Sequence, residues 1–118
     1  MIHNFRDLDV WQKSMKLTSA IYRVTKSFPQ NEIYGLCSQM QRAATSIPSN
    51  IAEGSGRMTD KELSHFLNIA LGSAYELETE LLIAFEALYI SEEQCSLLRQ
   101  QIVEIQKMLY ALIKKYSI

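Results

Sequence analysis

From Leu63 to Leu88 an apolar side chain returns at alternating intervals of four and three residues, at Leu63, Leu67, Ala70, Ala74, Leu77, Leu81, Ala84 and Leu88. A repeat near 3.5 residues keeps these positions on one face of an α-helix, whereas a strand would turn its side chains to the opposite face at every step. A helix of this length is stabilised mainly by burying its apolar face, so the run predicts an all-α fold with other helices packed on it.

The rest of the chain supplies those helices. A first helix is expected from Asp7 or Asp9, either of which can cap it, to Phe28 before Pro29, with Val10, Leu17, Ile21, Val24 and Phe28 on one face. A second runs from about Asn31 to Gly54 with Ile33, Leu36, Met40, Ala43, Ile47 and Ile51 as its seam. Thr59 with Glu62, and Ser91 with Gln94, have the spacing of capping boxes that open the third and fourth helices. The fourth carries Cys95, Leu98, Ile102, Ile105, Leu109, Leu112 and Tyr116, and ends on Lys114 and Lys115, as a helix dipole favours. Short turns between long helices predict one antiparallel up-down-up-down four-helix bundle spanning residues 1–118.

Composition narrows the setting. With 118 residues, 47% of them hydrophobic, the chain can fill a single core. Cys37 and Cys95 fall on apolar helical positions, too far apart for a disulfide framework, and read as reduced core residues of a cytoplasmic protein. The N-terminus lacks an apolar signal core, and no uncharged run reaches the roughly 18 to 20 residues that span a bilayer, so no membrane association is expected. The net charge of -1 hides an asymmetry: residues 1–58 hold seven Lys/Arg against four Asp/Glu, and residues 59–118 hold five against nine. Such halves can satisfy each other within or between subunits, or the first can present a basic binding face.

Pro48 stands inside the second helical pattern, where it removes the hydrogen bond to the Ala44 carbonyl. Ser46, Ser49 and Asn50 are short polar groups placed to compensate, which makes the proline a tolerated kink. Gln39, Arg42, Ser46, Asn50, Glu53 and Arg57 recur at three and four beside the apolar seam. If the second and third helices are antiparallel, Ser46 comes level with Asn68 and Arg42 meets Glu76, giving a buried polar seam between helices.

A second stripe on the third helix, Leu71, Tyr75, Leu82, Phe85 and Tyr89, is rotated by about 100° from the first. One core cannot readily cover both, so this stripe, with Trp11 and Tyr22, is the expected contact surface between copies of the chain. Lys13, Lys16, Arg23 and Lys26, with Arg57 and Lys61, form the alternative surface for RNA.

No enzyme chemistry is assembled. Glu62-Leu-Ser-His65 has the spacing of one di-iron ligand motif, but a complete site needs a second and two further glutamates, and the other histidine, His3, is near a terminus. Glu76, Glu78 and Glu80 point different ways or repel, the serines lack a partner histidine, and Gly54-Ser-Gly56 lacks the length and lysine of a phosphate loop. No cofactor, metal or small-molecule substrate is expected.

The segment Arg42–Arg57, together with Asp7-Leu-Asp-Val-Trp-Gln-Lys13, Phe28-Pro29, Tyr34-Gly-Leu-Cys-Ser-Gln39 and Gly72-Ser-Ala-Tyr-Glu-Leu-Glu-Thr79, resembles the 23S ribosomal RNA intervening-sequence protein family over nearly the whole chain. The resemblance implies an antiparallel four-helix bundle assembled as a ring-shaped homopentamer, and it assigns no reaction. Related accessory proteins of diversity-generating retroelements share this fold and are strongly basic, binding nucleic acid and a reverse transcriptase. This chain departs toward acidity, with Gln41 where a first of two arginines is common and Glu80 where glutamine is frequent.

Overall fold

A computed structural model describes residues 4–117, so His3 lies outside the described part. Four long helices dominate it: α1 (Asp9–Thr25), α2 (Ser38–Ser55), α3 (Asp60–Glu86) and α4 (Glu92–Tyr116). Each packs on its chain neighbours, and α1 also touches α4, so the four enclose one core. The chain is all-α, with no strand among the described residues. No helix among the described residues is long and apolar enough to cross a membrane.

The α3 seam behaves as its spacing dictates. Leu67, Ala70, Ala74, Leu77, Leu81 and Ala84 are wholly enclosed, and Leu63 nearly so. They meet Leu17 and Ile21 of α1, Met40, Ala43, Ile47 and Ile51 of α2, and Ile102, Ile105 and Leu109 of α4 in one continuous cluster that also holds both free cysteines. Leu88 leaves the pattern. It lies beyond α3 in a left-handed conformation (φ 66°) and is 88% exposed, because Tyr89 N–H and Leu88 N–H turn back to the Ala84 and Phe85 carbonyls and close the helix there.

Helix ends follow cap chemistry, with three departures from expectation. Ser91 and Gln94 form the full reciprocal capping box, whereas Thr59 accepts the Glu62 N–H without the return bond. At α1 neither aspartate caps: Leu8 is the cap residue, and Asn4 instead caps a short 3-10 turn at Phe5–Asp7. The second helix begins later than its apolar spacing suggests. A 3-10 turn, Gln30–Glu32, and a π-helical turn, Ile33–Cys37, precede α2, broken at Gly35 (φ -109°, ψ -115°), and Ile33 is left about half exposed.

Pro48 is buried within α2, and the Ala44 carbonyl it deprives finds its donor on another helix. Thr18 Oγ1 of α1 shares its hydrogen between its own helix, at Ser14 O (2.8 Å), and Ala44 O (3.0 Å). Ser46 and Asn50, expected to fill this role, bond elsewhere. Thr25 extends the same flank of α1, accepting from Gln41 Nε2 at 3.0 Å, while Cys37 Sγ donates to the Thr25 carbonyl.

Candidate functional site

With the core closed, what remains for function lies on the outer faces. The outward stripe of α3 divides. Leu71 is buried in the core, and Tyr89 is fixed by its own chain, its ring against Phe28 (5.3 Å) and its hydroxyl donating to Glu32 Oε2 at 2.7 Å. That bond, with the Leu36 N–H, holds the Glu32 carboxyl below its ordinary value and raises the Tyr89 hydroxyl. Tyr75, by contrast, is 52% exposed, and Leu82 and Phe85 are half-buried along an open groove of about 730 Å³. The facing wall is α4, through Cys95, Arg99, Val103 and Lys107.

Polar clasps frame that groove. Glu78 of α3 accepts from Gln106 Nε2 (2.8 Å) and Arg99 Nε (3.0 Å) of α4, and these bonds, Gln106 first, hold its carboxyl low. Exposed apolar side chains the sequence reading did not single out lie on α3 as well: Ile69 and Ile83, the latter 51% exposed. Their spacing from Gly72 and Glu76 continues a four-three pattern on the solvent side, which was the available signal. A Cβ at Gly72 would meet nothing, whereas one at Gly54 would come within 2.8 Å of Phe66. On α1, Tyr22 and, two turns earlier, Met15 are each 44% exposed, and the half-buried Trp11 meets Phe5 edge to face with ring centroids 5.2 Å apart.

The polar line between α2 and α3 is a surface cleft rather than a buried seam. Gln39, Arg42, Glu53, Arg57, Asn68 and Glu76 are exposed, and only Ser46 and Asn50 are partly covered. The register also differs: Ser46 meets Ser73, at 2.8 Å between hydroxyls, while Asn68 bonds back to Ser64 within its own helix. Arg42 and Glu76 line one cleft but enter no ion pair among the described residues. Arg57, in the turn after α2, pairs back with Glu53 of that helix (2.9 Å) and covers the Phe66 ring.

Glu80 is a buried carboxyl that helical spacing alone did not separate from Glu76 and Glu78. It is 5% exposed, and its Oε1 has no hydrogen-bond partner among the described residues. Burial first, then the Glu76 carboxylate one turn away, pushes it up to about 7.

The basic surface is thinner than its composition suggests. Lys13 bonds Glu104 of α4 at 2.9 Å and lies 3.6 Å from Asp9, and the Glu104 bond raises its ammonium. With Lys13 and Arg57 both matched to carboxylates, Lys16, Arg23, Lys26 and Lys61 remain as exposed cations outside any ion pair among the described residues. His65 is exposed beside Phe66.

Comparison with known proteins places this geometry. A model of the family described as 23S rRNA-intervening sequence protein matches residues 6–111. The chain is also similar to a crystal structure of a protein with unknown function from the S23 ribosomal protein family of Bacteroides thetaiotaomicron, with 30% identity and a TM-score of 0.83, over 89% of this chain and 95% of that one. No curated protein sequence matches.

Proposed function

Because the chain belongs to the 23S rRNA-intervening sequence protein family, we propose that it is a non-enzymatic, self-associating scaffold of the cytoplasm, assembled as a ring-shaped homopentamer. Cross-helix bonds run Thr18 to Ala44 and Thr25 to Gln41, then Ala74 to Gln106 and Glu78 to Arg99. Their opposed numbering supports the antiparallel up-down-up-down course of such a subunit.

The observation that carries the reading is the outer surface of α3, where Tyr75 and Ile83 stand about half exposed and Leu82 and Phe85 line an open groove, while the inner seam is shut. Apolar surface of this kind gains about 25 cal/mol per Å² when covered. A heterologous contact, one face of a copy on a different face of the next, is the type that closes into rings. Tyr22 and Met15 on cationic α1 offer the matching face, with Lys16 and Arg23 opposite the acidic second half of the neighbouring chain.

Light scattering coupled to size exclusion tests this. The unmodified chain is expected to run as an oligomer at micromolar concentration, and the double variant Tyr75→Ser, Ile83→Ser as a folded monomer. A monomeric parent protein would end the proposal.

A second reading, an RNA-binding accessory subunit resembling the retroelement proteins, draws support from exposed Lys16 and Arg23 on α1 and Lys26 at its C-terminal cap. Its mark is affinity for RNA that falls steeply with salt as counterions are released. No binding to structured or single-stranded RNA at low salt removes it.

A further inference from the structure

We propose that the cleft between α2 and α3 binds a small zwitterion of the α-amino-acid class, with its ammonium on Glu76 and the serine floor and its carboxylate on Arg42. The cleft holds about 360 Å³ and is lined by Gln39, Arg42, Ala43, Ser46, Ser73 and Glu76. That volume is at the small end of the roughly 300–1,000 Å³ of small-molecule sites.

The floor is committed in one direction. Asn50 Nδ2 uses its two hydrogens on the Ser46 carbonyl (2.8 Å) and the Ser46 Oγ (2.9 Å). The Ile69 carbonyl can only accept and lies 3.1 Å from Ser73 Oγ; with the Ser73 hydrogen directed there, Ser46 is the donor in the 2.8 Å contact between the two hydroxyls. Both hydroxyl protons are then used, and each oxygen keeps a lone pair. In that arrangement a group that docks on this floor does so by donating hydrogen bonds.

The walls are opposite in character. On α3, Glu76 presents a carboxylate; on α2, Arg42 presents five N–H donors with the Gln39 amide beside it. A simple cation would meet the guanidinium at the rim and a simple anion would meet Glu76, each a like charge. An ammonium and a carboxylate joined through one carbon match the floor and both walls, with charge-assisted bonds at each end. Ala43 is the one apolar residue of the lining, so the fit favours a ligand with a short side chain. All six residues belong to one subunit, and the site does not depend on assembly.

The full chain is titrated with glycine, L-serine, ethylammonium and acetate and followed by amide TROSY NMR. Glycine and L-serine are expected to shift residues 42–46 and 73–76 saturably, and ethylammonium and acetate to bind at least about tenfold more weakly. Arg42→Met and Glu76→Gln, both at exposed positions and each checked for an unchanged melting temperature, are expected to weaken glycine binding by a similar factor. Three results overturn the proposal: no saturable shift with either amino acid, ethylammonium or acetate binding as well as glycine, or variants that bind glycine like the parent.

Discussion

The inward seam and the outward stripe of α3 are built from similar residues and end in different surroundings. Leu67, Leu77 and Leu81 are enclosed by the other three helices, while Tyr75 and Ile83, two positions away from Leu77 and Leu81, face solvent. The difference teaches that periodicity fixes which face is offered and the number of neighbours fixes which face is covered. Three partner helices close one side of a long helix, and whatever is apolar on the other side is available for a further molecule.

The sharpest way to break this comparison is to truncate one residue from each face. Leu77→Ala should cost about 2–5 kcal/mol in denaturant unfolding, because the transfer term and a residual cavity add at an enclosed site. Ile83→Ala should leave the stability of the subunit within about 0.5 kcal/mol, as exposed positions do, and register in light scattering as weakened association. Equal losses of fold stability would mean that the outward stripe is core after all.

The same helix turns contrast in charge. Glu76 is exposed and Glu80, one turn on, is buried with an orphan oxygen. Because the folded-state value of Glu80 lies at about 7 against an ordinary 4.5, its protonated form is favoured by folding. Stability from this group is full below about 4.5 and is lost as pH rises through about 7, by at most about 3 kcal/mol. Glu80→Gln should flatten that profile and melt higher than the parent at pH 8. Parallel pH profiles for the two proteins would remove Glu80 as the cause.

A third contrast sets the mended carbonyl of α2 against an ordinary helical one. Thr18→Val keeps the shape and removes the donor to Ala44, leaving a buried acceptor open at a cost of about 1–3 kcal/mol. In a Pro48→Ala background the carbonyl regains its own helical N–H, and the cost of Thr18→Val should shrink. Additive effects in this double-mutant cycle would uncouple the two residues.

Much of the comparison was legible in the sequence. The seams of α2, α3 and α4 and the Ser91 cap follow from spacing and local chemistry that act within a few residues. What was hidden depends on which neighbour arrives. Thr18 rescuing Ala44 spans 26 residues, although Ser14, Thr18 and Thr25 do form a hydroxyl line on α1. The Ser46–Ser73 register, which displaced the expected Ser46–Asn68 level, required the true length of the turn at Gly56. Glu80 looks like Glu76 and Glu78 until packing separates them. At the outer face, Leu71 and Tyr89 were claimed by the core and by Glu32, leaving Tyr75, Leu82 and Phe85 open.

The smallest expected effect separates the two helical glycines. Gly72→Ala should raise subunit stability by about 0.5–1 kcal/mol, since helix propensity improves and the new methyl meets nothing, whereas Gly54→Ala should lower it by crowding Phe66. If Gly72→Ala also weakens association, an adjacent copy approaches the α3 backbone there.

The Thr18 bridge has a consequence for how the chain comes together. A helix normally closes its own ladder as it forms, yet the middle turn of α2 waits for a hydroxyl from a segment made earlier. Any intermediate in which α2 and α3 join before α1 docks carries a vacant acceptor into its interior. Arrival of α1 therefore works as a fastener, and peeling it away would loosen α2 from the inside instead of merely uncovering one of its sides.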